Sequence, residues 1–119
     1  MKKILIVEDN ELNITILNGI LNSSYELSIA RSVEDVFKIL EYETPDLFLL
    51  DIIMKNKSGI ELCKELRTDE EYANVPVVFM TAVQDQNVYD AAFKAGADSF
   101  ITKPFKSAEL KKILSNLLA

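Results

Sequence analysis

Histidine is absent from the 119 residues, and cysteine occurs once, at Cys63. Without histidine the chain cannot build a Ser-His-Asp or Cys-His catalytic site, or a histidine metal site. It also cannot carry a phosphohistidine of its own. A single cysteine excludes an intrachain disulfide. The sequence therefore excludes the histidine-dependent hydrolases, and we expect Cys63 to be a small buried apolar residue.

Long apolar runs are also missing, because no stretch approaches the roughly 18 consecutive apolar residues of a membrane span. The apolar run at residues 4–7 follows two lysines but is interrupted at once by Glu8, so it does not resemble a signal peptide. The length fits one domain, residues 1–119, and the 49% apolar and 27% charged content is typical of globular proteins. We expect a reduced, cytoplasmic protein.

Positive charge is in the minority: 13 Lys and Arg residues face 19 Asp and Glu residues, for a net charge of −6. A domain of this sign is repelled by phosphate backbones and by anionic lipid surfaces. We therefore expect no direct binding of nucleic acid or membrane. The excess acid favours a divalent cation wherever carboxylates converge.

Five short apolar segments recur along the chain, at residues 4–7, 25–29, 47–50, 75–80 and 99–101. Continuous apolar runs of this length suit strands that are buried on both faces of a parallel sheet. After each run, apolar residues repeat with a period near 3.6, which indicates a helix. The alternation predicts an α/β doubly wound sheet with five parallel strands, five helices and right-handed crossovers.

The helical stripes predict which side chains face the core. Ile16 is expected in the inward stripe of the first helix, Phe37 in that of the second, Cys63 in that of the third, and Ala91 in that of the fourth. Gly96 directly follows the fourth stripe, so we expect it to end that helix in a left-handed cap.

Polar side chains follow the predicted strands. Glu8 and Asp9 follow the first strand, Asp51 the third, Thr81 the fourth and Lys103 the fifth. Ligands of open α/β sheets bind beyond the carboxyl ends of the strands. We therefore expect three acids, a hydroxyl and an ammonium group to converge at one rim of the sheet.

This set of side chains indicates phosphoryl chemistry assisted by Mg²⁺. Oxygen ligands suit Mg²⁺, which one or two carboxylates usually hold together with phosphate oxygens. Asp51 ends a buried strand and is the best candidate for a nucleophile that becomes an aspartyl phosphate. Phosphoryl transfer needs positioning and neutralisation of the equatorial oxygens. Lys103 and the metal can supply that charge, and the Thr81 hydroxyl can donate a hydrogen bond.

Along its whole length the sequence resembles the receiver domains of response regulators in two-component signalling, the CheY-like superfamily. The matching motifs are ILIVEDN at 4–10, PDLFLLDIIM at 45–54, SG at 58–59, MTA at 80–82 and KPF at 103–105. Each motif alone is weak, but five in this order at domain-length spacing are specific. The resemblance implies a flavodoxin-like sheet of strand order 2-1-3-4-5.

The resemblance also implies roles for the acids. Asp51 corresponds to the phospho-acceptor, which takes a phosphoryl group from a partner histidine kinase or histidine phosphotransfer protein. Asp9 and Asp51 correspond to the metal-binding carboxylates, with the backbone carbonyl of Ile53 as a third ligand. Glu8 corresponds to an acid that commonly holds the metal through water.

Further implied roles concern the response to phosphorylation. Lys103 corresponds to the lysine that pairs with the phosphoryl group, Thr81 to the switch hydroxyl and Phe100 to the switch aromatic. The Lys103–Pro104 peptide bond is expected to be cis. The surface of the fourth helix, fifth strand and fifth helix is expected to bind a downstream protein, a fused output domain or a second copy.

Two local features set this chain apart. Lys55 stands where the family often has proline, and the absence of that proline is expected to loosen the loop after Asp51. Apolar Ile53 and Val83 lie two residues beyond Asp51 and Thr81, where side chains can control an attacking water. We therefore expect self-dephosphorylation to be slow.

Other interpretations stay open at this point. Glu8 and Asp9 are also typical of the acids that precede a helix, Thr81 of a helix cap, and Phe100 of a plain core residue. The chain could be an interaction module that is never phosphorylated. An enzyme that turns over phosphate esters is disfavoured. Such a phosphatase usually carries a second carboxylate two residues past the nucleophile, and that position is Ile53 here. The sequence also has no glycine-rich phosphate loop.

Overall fold

The computed structural model describes residues 1–54 and 58–119. Lys55, where the sequence departs from the common proline, lies outside the described residues. Strands and helices alternate from the first element to the last. They are β1 (Lys3–Val7), α1 (Glu11–Leu21), β2 (Glu26–Ala30), α2 (Val33–Leu40), β3 (Leu47–Asp51), α3 (Gly59–Thr68), β4 (Val77–Thr81), α4 (Gln86–Ala95), β5 (Ser99–Thr102) and α5 (Ser107–Leu117).

The five strands form one sheet of order β2-β1-β3-β4-β5, and all four pairings are parallel. This confirms the predicted fold class and strand order. The register pairs Asp51 with Met80 and Thr81 with Thr102. The ends of the three strands β3, β4 and β5 are therefore level, and the residues that come directly after these strands lie at one edge of the sheet.

The core consists of two layers, one on each face of the sheet. Every residue of β3 and β4 is buried, which explains why their sequences are continuously apolar. Burying one leucine or phenylalanine side chain stabilises the fold by roughly 1.5–3 kcal/mol. One face packs on α2, α3 and α4 through Val36, Leu62, Cys63, Leu66, Ala92 and Ala95, and the other on α1 and α5 through Leu17, Leu21, Leu110 and Leu114.

The helix ends follow local rules. The side chain of Asn10 caps α1 by accepting a hydrogen bond from the Asn13 amide. Gly96 ends α4 with φ of +112°, which confirms the predicted left-handed cap. No helix within residues 1–54 and 58–119 is both long and apolar enough to cross a lipid bilayer.

Three predictions of inward-facing residues were wrong. Phe37 on α2 is 41% exposed, because Val36 is the residue of that helix that is buried in the core. Ile16 is 39% exposed, and Ile14 is buried in its place, because the inward face of α1 runs through Ile14, Leu17 and Leu21 at helical spacing. Ala91 is exposed and lies beside the buried stripe of α4. An apolar residue beside a stripe adds to the pattern in the sequence without reaching the core.

Candidate functional site

The site lies at the carboxyl edge of the sheet, where four strands deliver polar side chains. Glu8 directly follows β1, Asp51 and Thr81 are the last residues of β3 and β4, and Lys103 directly follows β5. Glu8, Asp51 and Thr81 are the buried polar or charged side chains of the described residues, at 1%, 6% and 2% exposure. Their burial requires partners within the protein.

Three carboxylates converge at this edge. One carboxylate oxygen from each of Glu8, Asp9 and Asp51 lies within 4.8 Å of the other two. The sequence predicted this convergence from residues 42 positions apart, since strand order alone brings the ends of β1 and β3 side by side. Three like charges at this separation repel one another, so the cluster needs positive charge.

Lys103 provides part of that charge. Its Nζ donates to Glu8 Oε2 at 3.1 Å and to Asp51 Oδ2 at 3.0 Å. Its backbone amide donates to the carbonyl of Thr81 at 2.9 Å, so the lysine continues the β4–β5 ladder by one residue. The Lys103–Pro104 peptide bond is cis. Burial lowers the pKa of Lys103, but the two carboxylates outweigh it and the net shift is upward.

Backbone amides bind the second oxygen of two of the carboxylates, those of Glu8 and Asp51. The Asn10 amide donates to Glu8 Oε1, and the Ile53 amide donates to Asp51 Oδ1, both at 3.2 Å. Each of these two carboxylates is therefore fixed between an amide of its own loop and the ammonium of Lys103. This leaves their orientation little freedom.

Burial and charge give Asp51 an unusual pKa. Burial favours the neutral carboxyl, the hydrogen bond from Lys103 opposes it, and the nearby charge of Glu8 raises the pKa further, to about 6. Lys103 neutralises part of the negative charge of the three carboxylates. The donor set contains only oxygen, which fits a hard divalent cation such as Mg²⁺, and it lacks the histidine and cysteine ligands typical of zinc sites. Ile53, whose carbonyl the family resemblance implied as a ligand, lies at the rim with 64% of its surface exposed.

Thr81 lies at the same edge, with its hydroxyl turned toward its own loop. Its Oγ1 accepts a hydrogen bond from the Val83 amide at 3.0 Å. The cap of α4 is instead Asp85, whose carboxylate accepts from the Asn87 amide at 2.8 Å. Thr81 is therefore not the cap of α4, and the equivalent interpretation of Asp9 fails because Asn10 caps α1.

Phe100 lies in a cluster of aromatic rings. Its ring centroid is 4.7 Å from that of Tyr89, 4.8 Å from that of Phe93 and 6.3 Å from that of Phe79. Tyr89 and Phe93 lie one turn apart on α4, and Phe93 is 51% exposed. Neither partner was predicted from the sequence, although their spacing of four residues on a helix was a usable signal.

A comparison with protein families gives one match over most of the chain. The family model described as "Response regulator receiver domain" matches residues 4–115. The transcriptional regulatory protein PhoP of alkaline phosphatase synthesis, from Bacillus subtilis, is 34% identical over 118 residues, which are 98% of this chain and 48% of PhoP. The polar-differentiation response regulator DivK from Brucella ovis is 35% identical over 104 residues, 87% of this chain and 85% of DivK.

Solved structures give the same result. A response regulator described as putative, from Chloroflexus aurantiacus, superposes with a TM-score of 0.92 at 30% identity and covers 98% of this chain and 97% of its own. The receiver domain of a sensor histidine kinase from Pseudomonas aeruginosa PAO1 superposes with a TM-score of 0.89 at 30% identity, with the same coverage. That structure has a magnesium ion coordinated in its active site cleft.

The share of each relative that is matched differs. This chain spans about half of PhoP and 7% of a hybrid histidine kinase from Dictyostelium discoideum, to which it is 34% identical. The similarity therefore concerns one domain of those longer proteins.

Proposed function

We propose that this chain, which belongs to the response regulator receiver domains of two-component systems, accepts a phosphoryl group on the carboxylate of Asp51. The observation that supports this most directly is the Lys103 ammonium bound at once by Asp51 and Glu8 inside a cluster of three carboxylates. Such a cluster is costly to bury and is typical of a functional site.

The transfer step is a displacement at phosphorus. An oxygen of Asp51 forms the new bond as the phosphorus–nitrogen bond of a donor phosphohistidine breaks, and the imidazole leaves with the bonding electrons. The donor belongs to a partner histidine kinase or phosphotransfer protein. With a pKa of about 6, Asp51 is mostly ionised near pH 7 and can act as the nucleophile. Such an exchange is expected to take place in the cytoplasm.

Mg²⁺ would be held by Glu8, Asp9 and Asp51, with the backbone carbonyl of Ile53 as a further ligand. When bound, the metal neutralises charge on the phosphoryl oxygens. The oxygen-only donor set fits this ion, and the related kinase receiver with magnesium in its cleft supports the assignment. Glu8, like Asp51, is oriented by an amide of its own loop, so the cluster is ordered before the metal binds.

The chain's own residues would then respond to the new charge, which is about −2. Lys103 pairs with the phosphoryl oxygens in place of a carboxylate. The Thr81 hydroxyl leaves the Val83 amide and donates to the phosphoryl group. Phe100 and the rings on α4 rearrange with it, which changes the surface formed by α4, β5 and α5.

The output of this switch is a change in protein contacts. We propose that the surface of α4, β5 and α5 binds a downstream protein or a fused output domain, as the partial coverage of PhoP suggests, or a second copy of the chain. The domain is regulatory and has no substrate to turn over, apart from slow loss of its own phosphoryl group. Ile53 and Val83 would slow that loss by shielding the acyl phosphate from water.

The decisive experiment is intact mass after incubation with acetyl phosphate and Mg²⁺. We expect a gain of one phosphoryl group, which EDTA and the Asp51→Asn substitution each abolish. Asp90→Asn, an exposed aspartate on α4, is the matched control and should label like the unmodified protein. If neither acetyl phosphate nor a phosphorylated phosphotransfer protein labels the folded chain, the proposal is wrong. An interaction module that works without phosphorylation would then be favoured.

A further inference from the structure

Helix α3 begins in direct contact with the backbone that carries Asp51. The Gly59 amide donates to the carbonyl of Ile52 at 2.7 Å. One residue earlier, Ser58 forms an isolated antiparallel bridge with Ile53. The first turn of α3 is therefore bonded to the two residues that follow the proposed phospho-acceptor.

Gly59 leaves no room for a side chain at this contact. A Cβ at this position would lie 2.1 Å from the carbonyl oxygen of Asp51, 3.0 Å from its carbonyl carbon and 3.2 Å from Cα of Ile52. All three are backbone atoms, which cannot rotate away as a flexible side chain can. The backbone conformation at position 59 does not itself require glycine, since among the described glycines only Gly96 has a positive φ.

The strand backbone cannot yield easily on its other side. The Ile52 amide donates to the carbonyl of Met80 at 3.1 Å, which extends the pairing of β3 with β4 past Asp51. The Ile53 amide orients the Asp51 carboxylate at 3.2 Å. A larger residue at position 59 must therefore push α3 away or tilt the peptide that joins Asp51 to Ile52.

We propose that Gly59 is a positioning residue of the site, an inference that rests on the proposed function and extends it. By allowing α3 to contact the peptide after Asp51, Gly59 fixes the direction of the Asp51 carboxylate and the position of Ile53. Both groups belong to the proposed metal and phosphoryl site. Phosphoryl transfer depends mainly on positioning, and a displacement near 1 Å can reduce a rate by about a hundredfold.

The test is Gly59→Ala, measured by two readouts on the whole chain. We expect the rate of labelling by acetyl phosphate to fall roughly tenfold to a hundredfold, and the dissociation constant for Mg²⁺ to rise several-fold. The dissociation constant is taken from an NMR titration of the amide signals with Mg²⁺ alone. It does not depend on phosphorylation, so it reports on the site even if labelling fails for another reason.

Two control variants separate positioning from ordinary destabilisation. Leu66→Ala removes a buried side chain from the same helix α3, seven residues beyond Gly59, and destabilises the fold. Gly19→Ala makes the same chemical change on α1, where a Cβ would meet nothing within 4 Å. All variants are compared at a temperature where circular dichroism shows them folded. If Gly59→Ala is unfolded in buffer, the same readouts are taken in trimethylamine N-oxide, which favours the folded state.

The outcomes are distinct. Loss of Mg²⁺ affinity and of labelling in Gly59→Ala, with both retained in Leu66→Ala and Gly19→Ala, supports the positioning role. Unchanged affinity and labelling in a folded Gly59→Ala overturns it, as does an equal loss in Leu66→Ala. If the unmodified protein binds Mg²⁺ but is never labelled, the proposed function fails, and the Mg²⁺ titration still decides the role of Gly59.

Discussion

Two cationic side chains of similar exposure lie at opposite edges of the sheet and are held in different ways. Lys103, at the carboxyl edge, is 17% exposed, and its two acceptors are the carboxylates of Glu8 and Asp51. Arg67, at the amino edge, is 19% exposed. Its acceptors are the backbone carbonyls of Tyr72, Ala73, Val75 and Gly96, together with the carboxylate of Asp98.

The acceptors of Lys103 and those of Arg67 differ in what chemistry they can undergo. A carboxylate can take up a proton, bind a metal or become a phosphoryl ester, so the partners of Lys103 can change. A backbone carbonyl does none of these, and the planar guanidinium of Arg67 matches several of them at once. Arg67 thereby ties the loop after α3 to the end of α4. The contacts of Lys103 can therefore change, whereas those of Arg67 with the four carbonyls cannot change in this way.

The largest expected effect that tests this comparison is on labelling. Lys103→Met removes the ammonium group that neutralises Asp51 and would pair with the phosphoryl oxygens. We expect the rate of labelling by acetyl phosphate at saturating Mg²⁺ to fall by roughly a hundredfold or more, as when one charge-stabilising donor is removed from an enzyme. Arg67→Met, assayed where it is folded, should label within about threefold of the unmodified protein. Equal losses in the two variants would contradict the comparison.

The second expected effect is on the free energy of unfolding. Arg67→Met removes a hydrogen-bond donor from four partly buried carbonyls and should destabilise the fold by about 2 kcal/mol. Urea unfolding measures this directly. Arg67→Lys should recover little of the loss, because one ammonium group cannot reach carbonyls on two loops in the way that the fork of arginine does. Recovery of most of the stability by lysine would mean that charge, and not the fork, holds this edge.

Much of this division was predictable from sequence. The apolar runs of β1, β3 and β4 predicted a buried parallel sheet, and parallel strands bring their carboxyl ends to one edge. This is why Asp51 and Lys103, 52 positions apart, were expected to meet, and the structure places them 3.0 Å apart. Such reasoning needs only the strand order and which residue follows each strand.

Other features could not be predicted because they depend on exact placement. Arg67 is one of several charged residues on α3, and nothing in the sequence marks the carbonyls that surround its guanidinium group. The apolar pattern predicted Ile16 in the core because the pattern shows only which apolar residues lie near one face of the helix. In the structure Ile14 is buried instead. The space around Gly59 is likewise set by how closely α3 approaches β3, a distance that no local motif encodes.

The smallest effect concerns pH and again distinguishes the two edges. Burial, opposed by Lys103 and assisted by Glu8, raises the pKa of Asp51 from 3.8 to about 6, so the folded state binds its proton more tightly than the unfolded state does. The stability due to that proton is therefore fully present below about pH 4 and is lost as the pH rises through 6. The raised pKa of Lys103 acts only in the alkaline range.

Lowering the pH from 7 to 5 in EDTA should thus stabilise the unmodified protein, relative to Asp51→Asn, by about 1 kcal/mol once solvent screening is allowed for. Urea midpoints of the two proteins at pH 7, 6 and 5 measure the difference, since every other titrating group is common to both. Four of the five acceptors of Arg67 are carbonyls, which do not titrate, so Arg67→Met should keep most of the pH dependence of the unmodified protein. A pH dependence that survives in Asp51→Asn would assign the effect to another group and would leave the carboxyl edge no more responsive to protons than the edge that Arg67 holds.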